Sequence, residues 1–572
     1  MKFRMMVGVC MLALASVAAA GAQRNDFAAC DGYGTPNGEG DGMTREATNL
    51  FGLIRTLGSG GNTRRTTPEL GPEGVAACDR ALADPRLAAQ HWLRKASLLR
   101  ARAIQNLADA KPDLALADLD LATGATRLPD DPFVKRSMVL GIAMVRGYAV
   151  AQKGDSVTGH KLVLDVQRQR PFDRALSLAI AAMVSNDQAN DVGLGALHSL
   201  ARLDPRMIDL IFQSAFERGD FQSAMEIYPH IRPMTRVGDI GLSRVESTVQ
   251  DFKKELEEIR FRIARAGQLA YANAALGNGA GAKAALDDGR ATLAAAIPAA
   301  LPPLAAGEKE GSRKQLDRQL NGYLVKAGVA GAEQFATWST LVDFRLQAPT
   351  LAGAELKTRF EQARVPRDGG LGITLDLIKL VIARNPSDLV LAKSLADFQA
   401  ARAVPAMIDT DDAKLLFNAL PHTEIAARVP GFRKSNAVLG ALWGGVNGFK
   451  TKPDKSDPAR ATISFASPKS SSSVVQEMAL LRAADYTRER GHSAFVIDDR
   501  SDYERTISAT AYGTVLRTDP DGYSSSLTIE MVDLDRLPDR YRTAPWRAIP
   551  AADVIAELGP VYITDTPDGA RP

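Results

Sequence analysis

Apolar and polar positions along the chain fall into three regimes. The first is a run of apolar residues, Met5 to Val17, behind Lys2 and Arg4 and ahead of Ala18, Ala19, Ala20, Gly21 and Ala22. A positive start, a short apolar stretch and a small-x-small site predict a signal peptide over 1–22, with a mature start near Gln23. A Gly-rich arm, 23–69, follows. From there to about 440 the apolar positions recur at helical period. Four turns, at Ala110, Gly154, Gly219 and Gly277, divide that text into hairpins. Small residues stand seven positions before the turn (Ala103, Gly147, Ala270) and five after it (Ala115, Gly159, Ala224, Ala282), where antiparallel helices must cross closely. Leu119, Val163, Tyr228 and Leu286, nine after each turn, supply the bulky filler. Each hairpin leaves an apolar face that only its neighbours can cover, which predicts stacked hairpins over 70–296.

A Pro/Gly-rich stretch, 297–313, reads as a hinge, because Pro298, Pro302 and Pro303 deny it a continuous helix. A second helical region, 314–448, is marked by the stripe Ile373, Leu377, Leu380, Val381, with Asn385-Pro386 as its stop and Ser387 as the cap of the next helix. Residues 449–460 read as a linker. The third regime, 461–572, changes to period two. Ala461 to Ala466 alternates as a strand, and Ser470 to Ser473 open a helix with Val474, Met478, Leu481 and Ala484 on one face. After Gly491 come a short strand, Ala494 to Ile497, and two alternating runs, Thr506 to Val515 and Tyr523 to Val532, joined by Asp519-Pro520-Asp521-Gly522 as a turn. The expected domain is a helix layered on a sheet.

The hairpin offsets resemble the tetratricopeptide repeat, in which a small residue precedes the turn by seven and another follows it by five. Phe212 departs from that pattern in the third unit, as do Val166 and Ile231 at second crossings, and the turns are farther apart than the ~34 residues of a regular array. The resemblance spans about 90–295 and implies an irregular solenoid. Ala479-Leu480-Leu481-Arg482-Ala483-Ala484-Asp485, Gly491 and Phe495-Val496-Ile497 resemble a second family, small bacterial envelope lipoproteins with an LLRAAE-type helix, a Gly and a Phe-Val strand. Asp485 stands where that family favours Glu, and no lipobox is present, since Cys10 falls too early in the apolar run. This resemblance implies an envelope location and a domain type, and no activity. The fold expected is mainly α: an irregular TPR-like α-solenoid followed by a small α+β C-terminal domain.

Composition narrows the function. In 572 residues, 70 Lys and Arg against 67 Asp and Glu give a formal charge of +3, too balanced for a dedicated nucleic-acid binder. Aromatics at 6% argue against an aromatic-lined carbohydrate cleft. Beyond the leader two cysteines remain, Cys30 and Cys78, an even count that suits a disulfide in an exported chain, with two buried thiols as the alternative. Such a bridge would stabilise the fold by roughly 4 kcal/mol through loop closure and staple the arm onto the first helices.

The chemical motifs resolve into structure. Gly154 to Gly159 with His160-Lys161 echoes a phosphate loop but lacks the following Ser or Thr, and the same glycines serve a hairpin. Asn37 to Gly42 starts like a calcium loop, yet Thr48 holds the place of the bidentate Glu. The six histidines never pair at i,i+4, so no zinc site is expected. Asp498, Asp499 and Asp502 read as a solvated turn. Glu477 has no Glu-Ser catalytic setting. No catalytic residue, cofactor or metal is therefore assigned. The expected function is an exported, periplasmic, non-enzymatic interaction or scaffold protein with an envelope protein as partner and no transmembrane segment in the mature chain. The alternatives are a glycan-cleaving enzyme on a helical superhelix, and small-ligand capture near the hinge.

Overall fold

The computed structural model describes residues 25–36, 68–128, 130–184, 191–231, 244–297, 300, 302–307, 311–366, 369–402, 410–420, 432, 448–467, 470–511 and 514–563. Residues 1–22, expected as a leader, the calcium-like stretch 37–42 and the end of the second helical region lie outside them. The architecture is mainly helical, with a small α+β domain at the C-terminal end.

The first helices are α1 (Asp26–Asp31), α2 (Pro72–Ala83), α3 (Trp92–Ala108) and α4 (Pro112–Ala125). A π turn, Lys135–Val139, leads into α5 (Leu140–Gln152), followed by α6 (Ser156–Gln169), α7 (Arg174–Val184) and α8 (Asp191–Leu203). Next come α9 (Ile208–Glu217), α10 (Phe221–Ile227), α11 (Arg244–Ala275), α12 (Gly279–Ala296) and α13 (Ser312–Gln347). From α2 to α13 each helix packs on the next in sequence, a solenoid-like progression.

Local chemistry explains the hairpins. Ala110, Gly154, Gly219 and Gly277 all have positive φ, at 56°, 103°, 75° and 77°. Each turn closes with the same pair of bonds. At Gly154 its own N–H donates to Ala151 O and the Asp155 N–H reaches back to Val150 O, satisfying two orphan carbonyls of α5. The next residue then starts the new helix: the Asp155 and Asp220 carboxylates and the Asn278 amide oxygen accept from Thr158, Ser223 and Gly281 N–H. A Gly-Asx pair thus ends one helix and caps the next. At the crossings, a Cβ on Gly147 would lie 2.6 Å from Val163 Cγ1, and one on Gly159 2.6 Å from Gly147 O. Phe212, where the pattern called for a small residue, packs under the Arg265 guanidinium at 4.8 Å.

The later helices, α14 (Gly353–Gln362), α15 (Gly370–Arg384), α16 (Leu389–Arg402) and α17 (Thr410–Ala419), fold back. α15 packs on α9 and α17 packs on α3 and α7, so both helical regions share one apolar core. Ile373, Leu377 and Val381 are buried in it. The cap of α16 is Asp388, whose carboxylate accepts from Leu391 N–H, rather than Ser387; an Asp oxygen at that position reaches the first-turn amide directly.

The C-terminal sheet is antiparallel, in the order β1-β2-β4-β3-β5. Its strands are β1 (Gly448–Pro453), β2 (Arg460–Ser467), β3 (Ala494–Ala511), β4 (Thr514–Val532) and β5 (Ile549–Pro550). Ala461, Ile463, Phe465, Leu527, Ile529 and Met531 turn toward α18 (Ser472–Glu489), against which α19 (Ala551–Tyr562) also packs. Two expectations are corrected. Residues 448–453, read in part as linker, form an edge strand on β2; Lys450, Lys452 and Pro453 are residues that suit an unpaired sheet edge and disguise the strand. Asp519 to Gly522 lies inside β4, with Thr506 opposite Pro520 and Ile507 opposite Asp519, because the extended pairing of β3 with β4 overrides the local turn signal.

Candidate functional site

At the seam between the two bodies, buried charge unites distant parts of the chain. Glu477 sits on the apolar face of α18, and its side chain is fully buried. Arg170, at the end of α6, donates Nε to Glu477 Oε1 at 2.8 Å and Nη2 to Oε2 at 3.1 Å. Arg136, carried by the π turn, donates Nη2 to Oε1 at 2.9 Å and Nη1 to Glu557 at 2.5 Å. The Tyr562 hydroxyl donates to Oε2 at 2.5 Å. Arg170 also donates Nη1 to the Arg136 carbonyl at 2.7 Å, which ties α6 to the π turn.

Burial opposes ionisation of Glu477, but the Arg170 and Arg136 guanidiniums and the Tyr562 hydroxyl override it and hold the carboxyl at about 2. Burial and the Glu477 charge push the Tyr562 phenol well up, so it stays neutral and donates. Glu477 is therefore an anion at neutral pH with its oxygens engaged. It has neither the proton of a general acid nor a free oxygen for a nucleophile.

Apolar and aromatic contacts complete the seam. Phe133, Phe172 and Leu203 from the helical body belong to the same core cluster as α18, α19 and the sheet, and Phe133 meets Tyr562 edge-on at 5.7 Å. His198 of α8 stacks on Trp546 with centroids 4.3 Å apart and planes 12° apart. Burial pushes the His198 imidazole down to about 4. His230 lies 2.9 Å through Nε2 from Thr543 Oγ1; burial and the Arg547 charge lower its pKa. Arg500 of β3 donates Nη1 to the Leu203 carbonyl at 3.1 Å.

The aspartates read as a solvated turn are placed otherwise. All three lie in β3, and Asp498 stands in a bulge, between the pairs Ile497–Ile529 and Asp499–Thr528, that turns it inward to 1% exposure. There it pairs with Arg460 at 2.5 Å and lies 3.3 Å from the Tyr541 hydroxyl, which also donates to Glu530 at 2.8 Å. Asp499 is exposed, and Asp502 accepts from Arg500 and Ser525, both at 2.7 Å. Gly154 is a hairpin turn and Gly159 a helix crossing, so the phosphate-loop echo is structural. Among the described residues no group of three His, Cys, Asp or Glu is placed to hold a metal ion, and no helix is long and apolar enough to cross a membrane.

Cys30 on α1 and Cys78 on α2 are buried at disulfide distance, with Cα atoms 4.6 Å apart. Beside them Arg94 and Asp31 form a buried ion pair, and Ser97 donates to the same carboxylate at 3.1 Å. Arg94 is flanked by the Phe27 and Tyr33 rings at 5.5 and 5.7 Å. Sequence reasoning found the cysteines but not the Glu477 clamp. Its one visible signal was a Glu between Val474 and Leu481 on an apolar helix face. Comparison with protein families, curated proteins and solved structures finds no match to this chain.

Proposed function

We propose that this is an exported, non-enzymatic interaction protein of the bacterial cell envelope, whose tetratricopeptide-like hairpins present a surface to a protein partner. The observation that carries the reading is the Glu477 clamp. Converging buried charge joins two bodies and fixes their relative position, which is the chemistry of a rigid scaffold. The leader-like start and the cysteines at disulfide distance support an oxidising compartment outside the cytoplasm. The docking face that the surface favours is the outer side of α4. Leu114 and Leu121, two helical turns apart on that side, are 55% and 57% exposed, and Ala117 lies exposed between them. Exposed apolar side chains spaced along one helix face offer the contact that this reading needs.

A photo-crosslinking residue at Ala117 of the full chain, expressed with its leader, tests this in intact cells. A discrete protein adduct that disappears in Leu114→Asp/Leu121→Asp is the expected result. An unchanged monomer band at Ala117 and at positions along neighbouring hairpins would overturn it. Release of muropeptides from purified peptidoglycan by the mature chain would instead make it a glycan-cleaving enzyme.

A further inference from the structure

Away from the Glu477 clamp, the two bodies leave a half-open cleft. The turn Tyr228–His230 after α10 faces the turns Asp539–Tyr541 and Pro545–Arg547 across a cavity of about 320 Å³. Its polar lining comes from both sides: His230 from the helical body, and Asp539, Arg540, Tyr541, Thr543 and Arg547 from the C-terminal domain. A volume of this order lies at the lower end of those that hold small organic ligands, and domain seams are where such sites concentrate.

The charge there is unbalanced. Three guanidiniums, Arg460, Arg540 and Arg547, surround two buried carboxylates, Asp498 and Glu530. Tyr541, between those carboxylates, is kept neutral by burial and by their charge, which push its phenol up. The Asp539 carboxylate is engaged by Arg542 at 2.9 Å on the exposed rim. Among the described residues the arrangement therefore carries one positive charge beyond its carboxylates, held in a concave site with the Thr543 hydroxyl and the His230 ring as neutral hydrogen-bonding groups. Arg547 is 4% exposed and lies over the Tyr541 ring at 5.2 Å, so its charge is fixed in place. The Arg540 side chain, 56% exposed, stands at the entrance.

We propose that this cleft binds a small oxyanion ligand, a phosphate monoester or a short dicarboxylate, held between Arg540 and Arg547 with Thr543 as an additional donor. Planar guanidiniums recognise such groups through paired hydrogen bonds.

Isothermal titration of the full mature chain with inorganic phosphate, glycerol phosphate and succinate, each at matched ionic strength in chloride buffer, tests the site and separates the two chemistries. Saturable one-site binding of at least one probe is expected, weakened about tenfold or more in Arg540→Gln and in Thr543→Val, and unchanged in Arg536→Gln, whose side chain is 86% exposed and outside the cleft. The site is refuted by no saturation below about 10 mM for all three probes. Equal affinity in wild type, Arg540→Gln and Thr543→Val refutes it as well, and so does an equal loss in Arg536→Gln, which would mark diffuse surface charge. Thermal unfolding of each variant confirms that it is folded before titration, and Thr543→Val, which changes no charge, carries the test if Arg540→Gln does not fold.

Discussion

Arg170 and Glu477, 307 positions apart in the chain, meet in a two-pronged ion pair that holds the C-terminal domain on the helical body. Glu477→Gln keeps the shape but removes the anion that Arg136 and Arg170 share, leaving Arg136 with Glu557 and Arg170 with Asp173. Removing one partner of a buried pair costs about 3–5 kcal/mol, so the variant should unfold at clearly lower denaturant concentration. Arg170→Met with Glu477→Leu, which removes charge from both sides, should recover part of that loss. Equilibrium denaturation of the two variants and wild type checks both. Equal losses for the single and double variants would show that the pair itself does not hold the seam.

The same carboxylate sets an acid limit. Its pKa in the folded protein, about 2, lies below its ordinary 4.5. The stabilisation it provides is therefore complete above pH 4.5 and disappears as pH falls toward 2. His198 acts in the same direction at higher pH. Its imidazole is held near 4 against an ordinary 6.5, so the neutral ring stacked on Trp546 stabilises the seam above pH 6.5 and progressively less down to 4. Trp546 fluorescence in wild type should change as pH falls through about 4, where the folded protein's imidazole takes up its proton, while His198→Phe, which keeps a flat ring and loses the proton site, should hold its signal until Glu477 titrates. Identical profiles would remove His198 from the account.

Features that depend on neighbours in sequence were legible before the structure; features that depend on distant partners were not. The turns at Gly154, Gly219 and Gly277 are written in a single Gly-Asx step, where one residue supplies positive φ and the next the cap. Glu477 was visible as a polar residue on an apolar helix face, but nothing near it names Arg136 or Arg170. Asp498 looked like part of a solvated acidic turn because Asp499 and Asp502 surround it, and only the β3 bulge turns it inward. The Asp519-Pro520-Asp521-Gly522 turn signal was real local chemistry overridden by strand pairing, and Lys450 to Pro453 hid a strand because an edge strand selects the same residues as a linker.

Ala110 carries a conformational cost that its three counterparts avoid. At φ 56° its Cβ is strained, whereas Gly154, in the same motif, has no such atom. Ala110 is also exposed, so no packing is lost with its methyl group. Ala110→Gly should stabilise the protein by about 1 kcal/mol, the relief of strain exceeding the added chain entropy. Gly154→Ala should destabilise by a similar amount, since the space around that position is open and only its backbone angle matters. Opposite shifts in melting temperature for these two variants would establish that the hairpin turn itself sets the effect.

Cys30 and Cys78 join α1 to α2 across 48 positions, and Asp31 with Arg94 joins α1 to α3 one residue away. Bonding the cysteines would restrict the unfolded chain over that loop by about 4 kcal/mol on the chain-entropy account. The ion pair acts only in the folded state. The two contributions are separable by experiment. In dithiothreitol the wild type should melt lower, by the amount seen for Cys30→Ala/Cys78→Ala in either buffer, and the double variant should not respond to the reductant. Asp31→Asn should add its own loss in both buffers, because Arg94 at 1% exposure keeps its charge without the carboxylate. Alkylation of the denatured, unreduced protein should label neither Cys30 nor Cys78. Labelling of both, together with a melting curve indifferent to reductant, would leave the Asp31–Arg94 pair as the link that holds α1 in place.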